Sequence, residues 1–237
     1  MSWQPQIQKC PEAVDSTGWF GLIAGLPGTG KTFMLRTVPN LGRTLALNLE
    51  NGFRSVKDLT DLDVINVEDS KHFERVLGWL EGGQVGQYDL IYLDSITELA
   101  DMTFREAKVS DNRHRYMEAK QRTLAMITRL RRLRLSVVAT CGVKRNSETG
   151  LLQVLAPGQE LPAYIPHQFD FVAATRTRET DKGTQYALQF KPGGGWDFVK
   201  ARDPHGVLGE MEAPDLSVLF AKLEPTHPME GVKDASN

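Results

Sequence analysis

A glycine-rich segment carries the clearest chemistry in this sequence. Residues 25–32 read Gly-Leu-Pro-Gly-Thr-Gly-Lys-Thr, which fits the pattern G-x-x-x-x-G-K-[ST] between an apolar run and a segment with helical character. Such a loop points successive backbone N–H groups at phosphate oxygens, and a helix N-terminus behind it adds partial positive charge. Lys31 can then reach the β- and γ-phosphates, and the Thr32 hydroxyl can bind Mg²⁺. The predicted nucleotide-binding residues are Gly25, Leu26, Pro27, Gly28, Thr29, Gly30, Lys31, Thr32 and Phe33.

A magnesium site of this kind needs a carboxylate at the end of a neighbouring apolar strand. Residues 88–94 read Tyr-Asp-Leu-Ile-Tyr-Leu-Asp, so Asp94 ends such a strand and is predicted to support the metal together with Thr32. Asp94 as a helix cap is the structural alternative. Ser95 and Glu98 fit a capping box, and we interpret Glu98 as structural.

Hydrolysis also needs a group that orients the attacking water. Asp94 is followed by Ser95 and not by Glu, so the Asp-Glu pair of AAA+ machines is missing. Glu50 is the better candidate, because it ends an apolar strand that we expect to lie beside the strand before the glycine-rich loop. The alternative is an ordinary acidic residue in the turn 50–52.

The elements that must position these residues alternate between strands and helices, which predicts an α/β fold with a mainly parallel sheet. The pattern predicts strands over 18–24, 44–49, 62–67, 88–93 and 135–140. Helices are predicted from Lys31 to Val38, from Asp69 or Ser70 to Gly82, and over a long segment that breaks near 110–112. Three later strands, 169–176, 184–190 and 196–200, suggest an antiparallel extension, followed by a final helix over 214–223.

Composition sets the outer limits. The chain has 237 residues, 41% hydrophobic and 24% charged, with 28 Lys and Arg against 30 Asp and Glu. We expect one core over 17–223 with a segment 1–16 before it and a polar tail 224–237 after it.

No window has the length of a membrane span, and residues 1–6 lack a secretory signature, so a cytoplasmic protein is expected. Cys10 and Cys141 suggest reduced thiols, and the five histidines give no zinc site.

These pieces together resemble the RecA-type recombinase ATPase core. The resemblance rests on the order strand, phosphate loop, helix, strand ending in Glu50, and apolar strand LIYLDS. Later segments, LAPG at 155–158, IPHQFD at 165–170 and KARD at 200–203, are similar to phage-encoded Sak-type single-strand annealing ATPases. The resemblance covers about residues 17 to 210.

The resemblance implies roles for named residues. Residues 25–32 would bind the phosphates of ATP, Asp94 would support Mg²⁺ and Glu50 would position the water. Lys200 and Arg202 hold the place of basic residues that reach the nucleotide of a neighbouring subunit in RecA-like filaments. Their alternative is a solvated charge pair at a strand end.

The sequence also departs from the RecA-type pattern at two places. The loop text GLPGTGKT is closer to the AAA+ style than to bacterial RecA. Cys141 and Gly142 stand where RecA-type cores carry a polar sensor of the γ-phosphate. Thr140 and Lys144 are the candidate substitutes for that sensor.

Charge is unevenly distributed along the chain. Residues 105–134 hold ten Lys or Arg against three acids, whereas residues 203–237 hold two against seven. In RecA-type cores the segments corresponding to 108–120 and 143–160 face DNA, and sequence-independent contacts of this kind are sensitive to salt. Arginines 129–134 are interpreted as a solvated helix face. The candidate DNA-binding residues are Arg113, Arg115, Tyr116, Lys120, Lys144 and Arg145.

Three functions are compatible with these features. The first is a Mg²⁺-dependent ATPase that binds single-stranded DNA, forms a ring or filament of identical subunits, and acts in annealing or recombination. A single-strand-binding protein is a candidate partner, and the host cytoplasm is the expected location if the protein is phage-encoded. The second is a P-loop ATP switch or loader in DNA replication or packaging. The third is a small-molecule kinase, for which the polar loop at 111–115 is a poor lid.

Overall fold

The structure is a computed structural model, and it describes residues 18–108, 111–203 and 206–223. The segment 1–16, Cys10 and the tail 224–237 lie outside the described residues. Within the described ranges, no helix combines the length and apolar character that crossing a bilayer requires.

A nine-stranded sheet forms the centre of the molecule and confirms the predicted α/β class. Its strands are ordered β11-β9-β8-β1-β5-β4-β2-β3, with β10 paired to β8. All neighbours from β8 to β3 are parallel, and β9, β10 and β11 pair antiparallel. The described residues form eleven strands, of which β6 and β7 lie outside this sheet. They are β1 (Phe20–Ala24), β2 (Thr44–Asn48), β3 (Leu62–Asn66), β4 (Leu90–Asp94), β5 (Ser136–Cys141), β6 (Val143–Arg145), β7 (Leu152–Val154), β8 (Phe171–Thr180), β9 (Gly183–Gln189), β10 (Lys200–Ala201) and β11 (Met211–Glu212).

Helices cover both faces of this sheet. The α-helices are α1 (Ser70–Glu81), α2 (Ile96–Glu106), α3 (Asn112–Arg131), α4 (Glu160–Tyr164) and α5 (Leu216–Leu223). Helices α1 to α3 pack on one face, where Phe73, Leu99 and Ile127 meet strand residues such as Leu47 and Leu93. On the other face, 3-10 helix Thr32–Thr37 and α5 pack against the alternate strand positions. Two-sided burial explains why β1, β2 and β4 are apolar along most of their length.

Local capping follows the sequence with one refinement. Asp69 is the cap of α1, since its Oδ1 accepts a 2.6 Å hydrogen bond from the His72 amide. Ser95 caps α2 by accepting from the Glu98 amide at 3.3 Å, so Asp94 is not the cap. The carboxylate of Glu98 bonds Arg105 at 2.6 Å, which agrees with a structural role for this residue.

Several elements differ from the sequence-based prediction. The helix after the glycine-rich loop is a six-residue 3-10 helix, so its dipole is smaller than that of the predicted α-helix. Residues 196–199 lie in turns and only Lys200–Ala201 form a strand, because Trp196 and Val199 pack into the core from an irregular segment. The segment 143–160, which corresponds to a DNA-facing loop in the RecA-type cores that the sequence resembles, contains the two-stranded β6–β7 hairpin.

Candidate active site

The glycine-rich loop leaves the carboxyl end of β1 and is fixed there by backbone contacts. The Gly25 amide donates to the Cys141 carbonyl at 3.0 Å. A Cβ on Gly25 would lie 1.8 Å from the Thr175 hydroxyl, so a side chain cannot be accommodated there. Gly30 has φ +86°, a conformation that favours glycine. The glycines of the pattern are therefore required by this turn.

Two partners of the loop come from distant strands. Tyr92, fully buried on β4, donates a 2.6 Å hydrogen bond to the Lys31 carbonyl. Burial, together with the nearby charge of Asp94, raises the pKa of Tyr92 well above its usual value, so the hydroxyl remains a donor. The Thr175 hydroxyl on β8 lies 2.7 Å from that of Thr29. Nothing in the local sequence distinguishes Tyr92 or Thr175 from ordinary strand residues.

Lys31 points back over the loop. Its Nζ donates to the carbonyls of Gly25 at 3.0 Å and Leu26 at 2.9 Å. Burial lowers the pKa of Lys31, and the neighbouring Cys141, Asp94 and Glu50 act in the opposite direction. An ammonium group has three donors, so one remains for a phosphate oxygen.

Asp94 occupies the centre of the site and is almost completely buried. Its Oδ2 accepts a 2.6 Å hydrogen bond from the Thr32 hydroxyl, and its Oδ1 accepts from the Thr140 hydroxyl. Strand β5 separates β4 from β1, so Thr32 reaches Asp94 across an intervening strand, whereas Thr140 reaches it from the adjacent one. Sequence reasoning paired Thr32 with Asp94, and the structure brings the two together.

These oxygen atoms suit Mg²⁺. The ion is normally held by one or two protein oxygen ligands together with phosphates and water, and Thr32 and Asp94 supply that number. Across residues 18–108, 111–203 and 206–223 there is no cluster of three or more His, Cys, Asp or Glu that could hold a metal on protein side chains alone. Bound Mg²⁺ would neutralise charge on the phosphates.

Glu50 lies at this site for a different reason from the one expected. The expectation that its strand lies beside the P-loop strand was wrong, because β5 and β4 separate β2 from β1. Strand β2 instead pairs with β4, and the Leu49 amide donates to the Asp94 carbonyl at 2.8 Å. The Ser95 hydroxyl then donates to Oε1 of the exposed Glu50. Glu50 is thus fixed next to the carboxylate that would support the metal.

A cavity of about 640 Å³ joins these residues. It is lined by the predicted loop residues from Pro27 onward together with Glu50 and Asp94. Gly25 and Leu26 contribute instead through their carbonyl contacts with Lys31. The lining residues are Pro27, Gly28, Thr29, Gly30, Lys31, Thr32, Phe33, Met34, Thr37, Glu50, Gly52, Ser55, Asp94, Tyr186 and Pro214.

The two candidate sensor residues have different positions. Thr140 contacts Asp94 directly, whereas Lys144 lies in the β6–β7 hairpin and donates to the Ala156 carbonyl at 3.4 Å. Cys141, between them, is fully buried, and burial raises the pKa of its thiol to about 12. Thr140 is therefore the polar group of this strand that belongs to the site.

Lys200 and Arg202 do not approach the cavity of their own chain. The Arg202 guanidinium lies 3.2 Å from Asp170, whose other oxygen accepts from the Phe20 amide at the start of β1. The glycine-rich loop follows the opposite end of that strand. Burial lowers the pKa of Lys200, with the nearby charge of Arg202 acting in the same direction.

The candidate DNA-binding residues fall into two groups. Arg115 donates to the carbonyls of Phe104 at 2.9 Å and Arg105 at 3.4 Å, which occupies it at the end of α2, and Lys120 pairs with Glu160 at 2.5 Å. The other four line two adjoining cavities: Arg113 and Tyr116 line one, together with Lys120, and it shares Gly158 and Gln159 with a second lined by Lys144 and Arg145. Lys144 and Arg145 also donate to the carbonyls of Ala156 and Gly150.

Comparison with known proteins agrees with this geometry. No curated protein matches the chain. A family model, AAA_24, described as an AAA domain, matches residues 17–202, most of the chain. A domain of this type indicates nucleotide binding and ATPase activity, usually with Mg²⁺. The chain therefore belongs to this AAA-domain family of P-loop nucleoside triphosphatases.

Proposed function

We propose that the protein is a Mg²⁺-dependent ATPase that binds single-stranded DNA and promotes annealing or recombination, as the Sak-type phage ATPases that it resembles do. The observation that carries the ATPase part is the contact of Asp94 with Thr32 and Thr140 at the mouth of the glycine-rich loop. Lys31 neutralises charge on the γ-phosphate, and Thr32 and Asp94 hold the metal. Glu50, held by Ser95, orients the attacking water.

The DNA-binding part rests on the surface formed by Arg113, Tyr116, Lys144 and Arg145. Cations neutralise the phosphates of a strand, and an exposed tyrosine offers a ring on which a base can stack. Tyr116 is 43% exposed and stacks on Phe104 at 4.6 Å, which holds its ring in place. Sequence-independent, salt-sensitive binding is the expected behaviour of such a surface.

Most other cations of residues 105–134 are paired within the fold and cannot contribute equally. Acidic partners hold four of these arginines: Arg105 pairs with Glu98 of the same helix, whereas Arg122 pairs with Glu74, Arg129 with Glu81 and Arg131 with Asp170 from other parts of the fold. The charge excess of this segment therefore overstates the available positive surface.

Strand β5 supports a link between the two sites. It carries Thr140 to Asp94, and only Gly142 separates its end from β6, which carries Lys144 and Arg145. The Gly142 amide donates to the Thr97 hydroxyl at 2.8 Å, which ties the junction to α2. We therefore expect DNA to stimulate hydrolysis.

The test is ATP hydrolysis with and without single-stranded DNA, together with annealing of complementary strands. The triple variant Arg113→Ala, Lys144→Ala, Arg145→Ala should lose DNA binding and stimulation and keep DNA-independent hydrolysis. Lys71→Ala, which removes an exposed cation from α1, is the matched control. Stimulation that persists in the triple variant would contradict the proposed surface.

The competing functions give different results in the same assay. ATP binding without turnover would support a switch or loader. A turnover rate that DNA does not change, together with phosphorylation of an added metabolite, would support a kinase. Electron microscopy with ATP and single-stranded DNA would show whether subunits assemble into rings or filaments.

A further inference from the structure

The cavity at the glycine-rich loop is lined by two chemically different sets of side chains. Lys31, Thr32, Glu50 and Asp94 are the polar set of the phosphate site, whereas a second set is aromatic and apolar. These are Phe33, Met34, Tyr186 and Pro214. Phe33 is 55% exposed and Tyr186 45% exposed, an unusual degree of exposure for two large rings that line the same cavity.

Tyr186 is brought there by the antiparallel extension of the sheet. It shares a strand face with Leu188, which is buried in the core on the side of 3-10 helix Thr32–Thr37. A Cβ on Gly30 would lie 3.6 Å from Cδ1 of Tyr186, so the ring lies beside the end of the glycine-rich loop. The tyrosine therefore flanks the loop from the side opposite to β4.

The segment before α5 contributes Pro214 to this apolar set. The Leu216 amide at the start of α5 donates to the Thr37 hydroxyl at 2.9 Å, and α5 packs on the 3-10 helix through Leu219 and Phe220. Pro214, two residues before α5, is thereby held at the cavity. Pro214 lies beyond the region that the family match covers, residues 17–202, whereas Phe33 and Tyr186 lie within it.

We propose that Tyr186, with Phe33 and Pro214, is the platform that binds the base of the nucleotide. The inference rests on the proposed ATPase function and adds how the base is held. Few polar side chains lie beside these residues. The Thr37 hydroxyl already donates to the Met34 carbonyl and accepts from the Leu216 amide, so Ser55 is the hydroxyl left to bond a base. Stacking and apolar contact, available to any purine, therefore dominate over hydrogen-bond readout.

The test compares a ligand with a base and one without. Calorimetry with Mg²⁺ measures the affinity of the full chain for ATP and for inorganic tripolyphosphate. Tyr186→Ala should weaken ATP binding about tenfold, because loss of one aromatic stacking partner has an effect of that order. Its affinity for tripolyphosphate should not change, and Tyr186→Phe should restore ATP binding.

Gln185→Ala is the matched control, since Gln185 is exposed on the other face of the same strand. Equal weakening of both ligands in Tyr186→Ala would show that the tyrosine supports the loop and would overturn the platform. Unchanged ATP affinity in Tyr186→Ala would overturn it as well. Neither result affects the phosphate site, which fails separately if Lys31→Ala binds tripolyphosphate as tightly as the unmodified chain.

Discussion

The Thr32 hydroxyl donates a 2.6 Å hydrogen bond to Asp94 although 62 positions separate the two residues and β5 lies between β4 and β1, the strand that leads into the glycine-rich loop. The contact links the glycine-rich loop to the buried end of β4. It places the two oxygen ligands expected for Mg²⁺ within hydrogen-bond distance, and Thr140 holds the other oxygen of the carboxylate.

Replacing Asp94 by Asn should remove the metal-dependent part of the function. The amide keeps the shape of the side chain and loses its charge, so turnover should fall by about a hundredfold or more. ATP affinity should fall in Mg²⁺ and should not fall in EDTA, where the carboxylate has no metal to hold and only repels the phosphates. Calorimetry under both conditions measures this, and equal affinities in Mg²⁺ for the variant and the unmodified chain would contradict the metal role.

Thr140 is a positioning residue for the same carboxylate. Thr140→Val removes the hydroxyl at nearly constant volume, so the Mg²⁺ concentration for half-maximal turnover should rise several-fold, and Thr140→Ser should restore it. A titration of turnover against Mg²⁺ distinguishes this from a purely structural role, in which turnover would fall at all Mg²⁺ concentrations without a shift of the midpoint.

Lys31→Ala should abolish ATP turnover and leave the fold intact. The Nζ contacts are with carbonyls of an exposed loop, so little stability depends on them. In contrast, Lys31 is the one cation of residues 25–32 that can neutralise charge on the γ-phosphate. Circular dichroism and thermal unfolding check the fold, and turnover is measured beside them. Retained hydrolysis would rule out the P-loop assignment.

The local pattern was sufficient for some of these features. Buried apolar runs identified β1, β2 and β4, and an acid at the end of such a run identified Asp94. Strand order is not present in the local pattern, which is why Glu50 was placed beside the wrong strand. Tyr92 and Thr175 could not be found because their partners lie 61 and 146 residues away.

Two further differences have physical causes of the same kind. Residues 196–200 contain the aromatic and branched residues of a strand, and the packing of Trp196 into the core prevails over that propensity. The positive charge of residues 105–134 reads as a binding surface in sequence. In space, acids on α1 and α2 neutralise much of it.

Glu50→Gln should separate ATP binding from hydrolysis. The amide oxygen can still accept from Ser95, so the side chain should keep its place while it loses the charge that orients water. Turnover should fall by a factor on the order of a hundred or more, with ATP affinity unchanged. Unaltered turnover in this variant would mean that another group positions the water.

Cys141 should be inert and should make stability depend on alkaline pH. Burial raises the pKa of its thiol from 9.0 to about 12, so the folded chain keeps the thiol neutral where the unfolded chain ionises. Its stabilising effect is complete below pH 9 and is lost as the pH rises towards 12. The midpoint temperature of thermal unfolding should therefore fall more steeply above pH 9 in the unmodified chain than in Cys141→Ala.

Thiol labelling gives an independent reading of the same group. In a Cys10→Ser background, Ellman's reagent at pH 8 should react slowly with the folded chain and rapidly in guanidinium chloride. Rapid labelling of the folded chain would show that the thiol is accessible, which burial of Cys141 does not permit.

Arg202 tests whether the site is completed by a neighbouring subunit. Its side chain is 63% exposed and lies at the end of β1 opposite to the glycine-rich loop, so it cannot serve its own cavity. Asp170 keeps Arg131 as a partner at 2.6 Å, so Arg202→Ala should fold normally. If Arg202 stabilises charge on a neighbour's γ-phosphate, its loss should reduce turnover by about a thousandfold.

Mixing two inactive variants then tests the geometry. A subunit with Arg202→Ala keeps an intact loop, and a subunit with Lys31→Ala keeps the arginine. In a random mixture about one interface in four combines the intact halves, so turnover should reappear up to about that fraction. Arg132→Ala, which removes an exposed arginine and leaves Arg202 in place, is the control and should keep its turnover when assayed alone. Activity in Arg202→Ala alone, or a mixture as inactive as its components, would mean that Arg202 does not act across an interface.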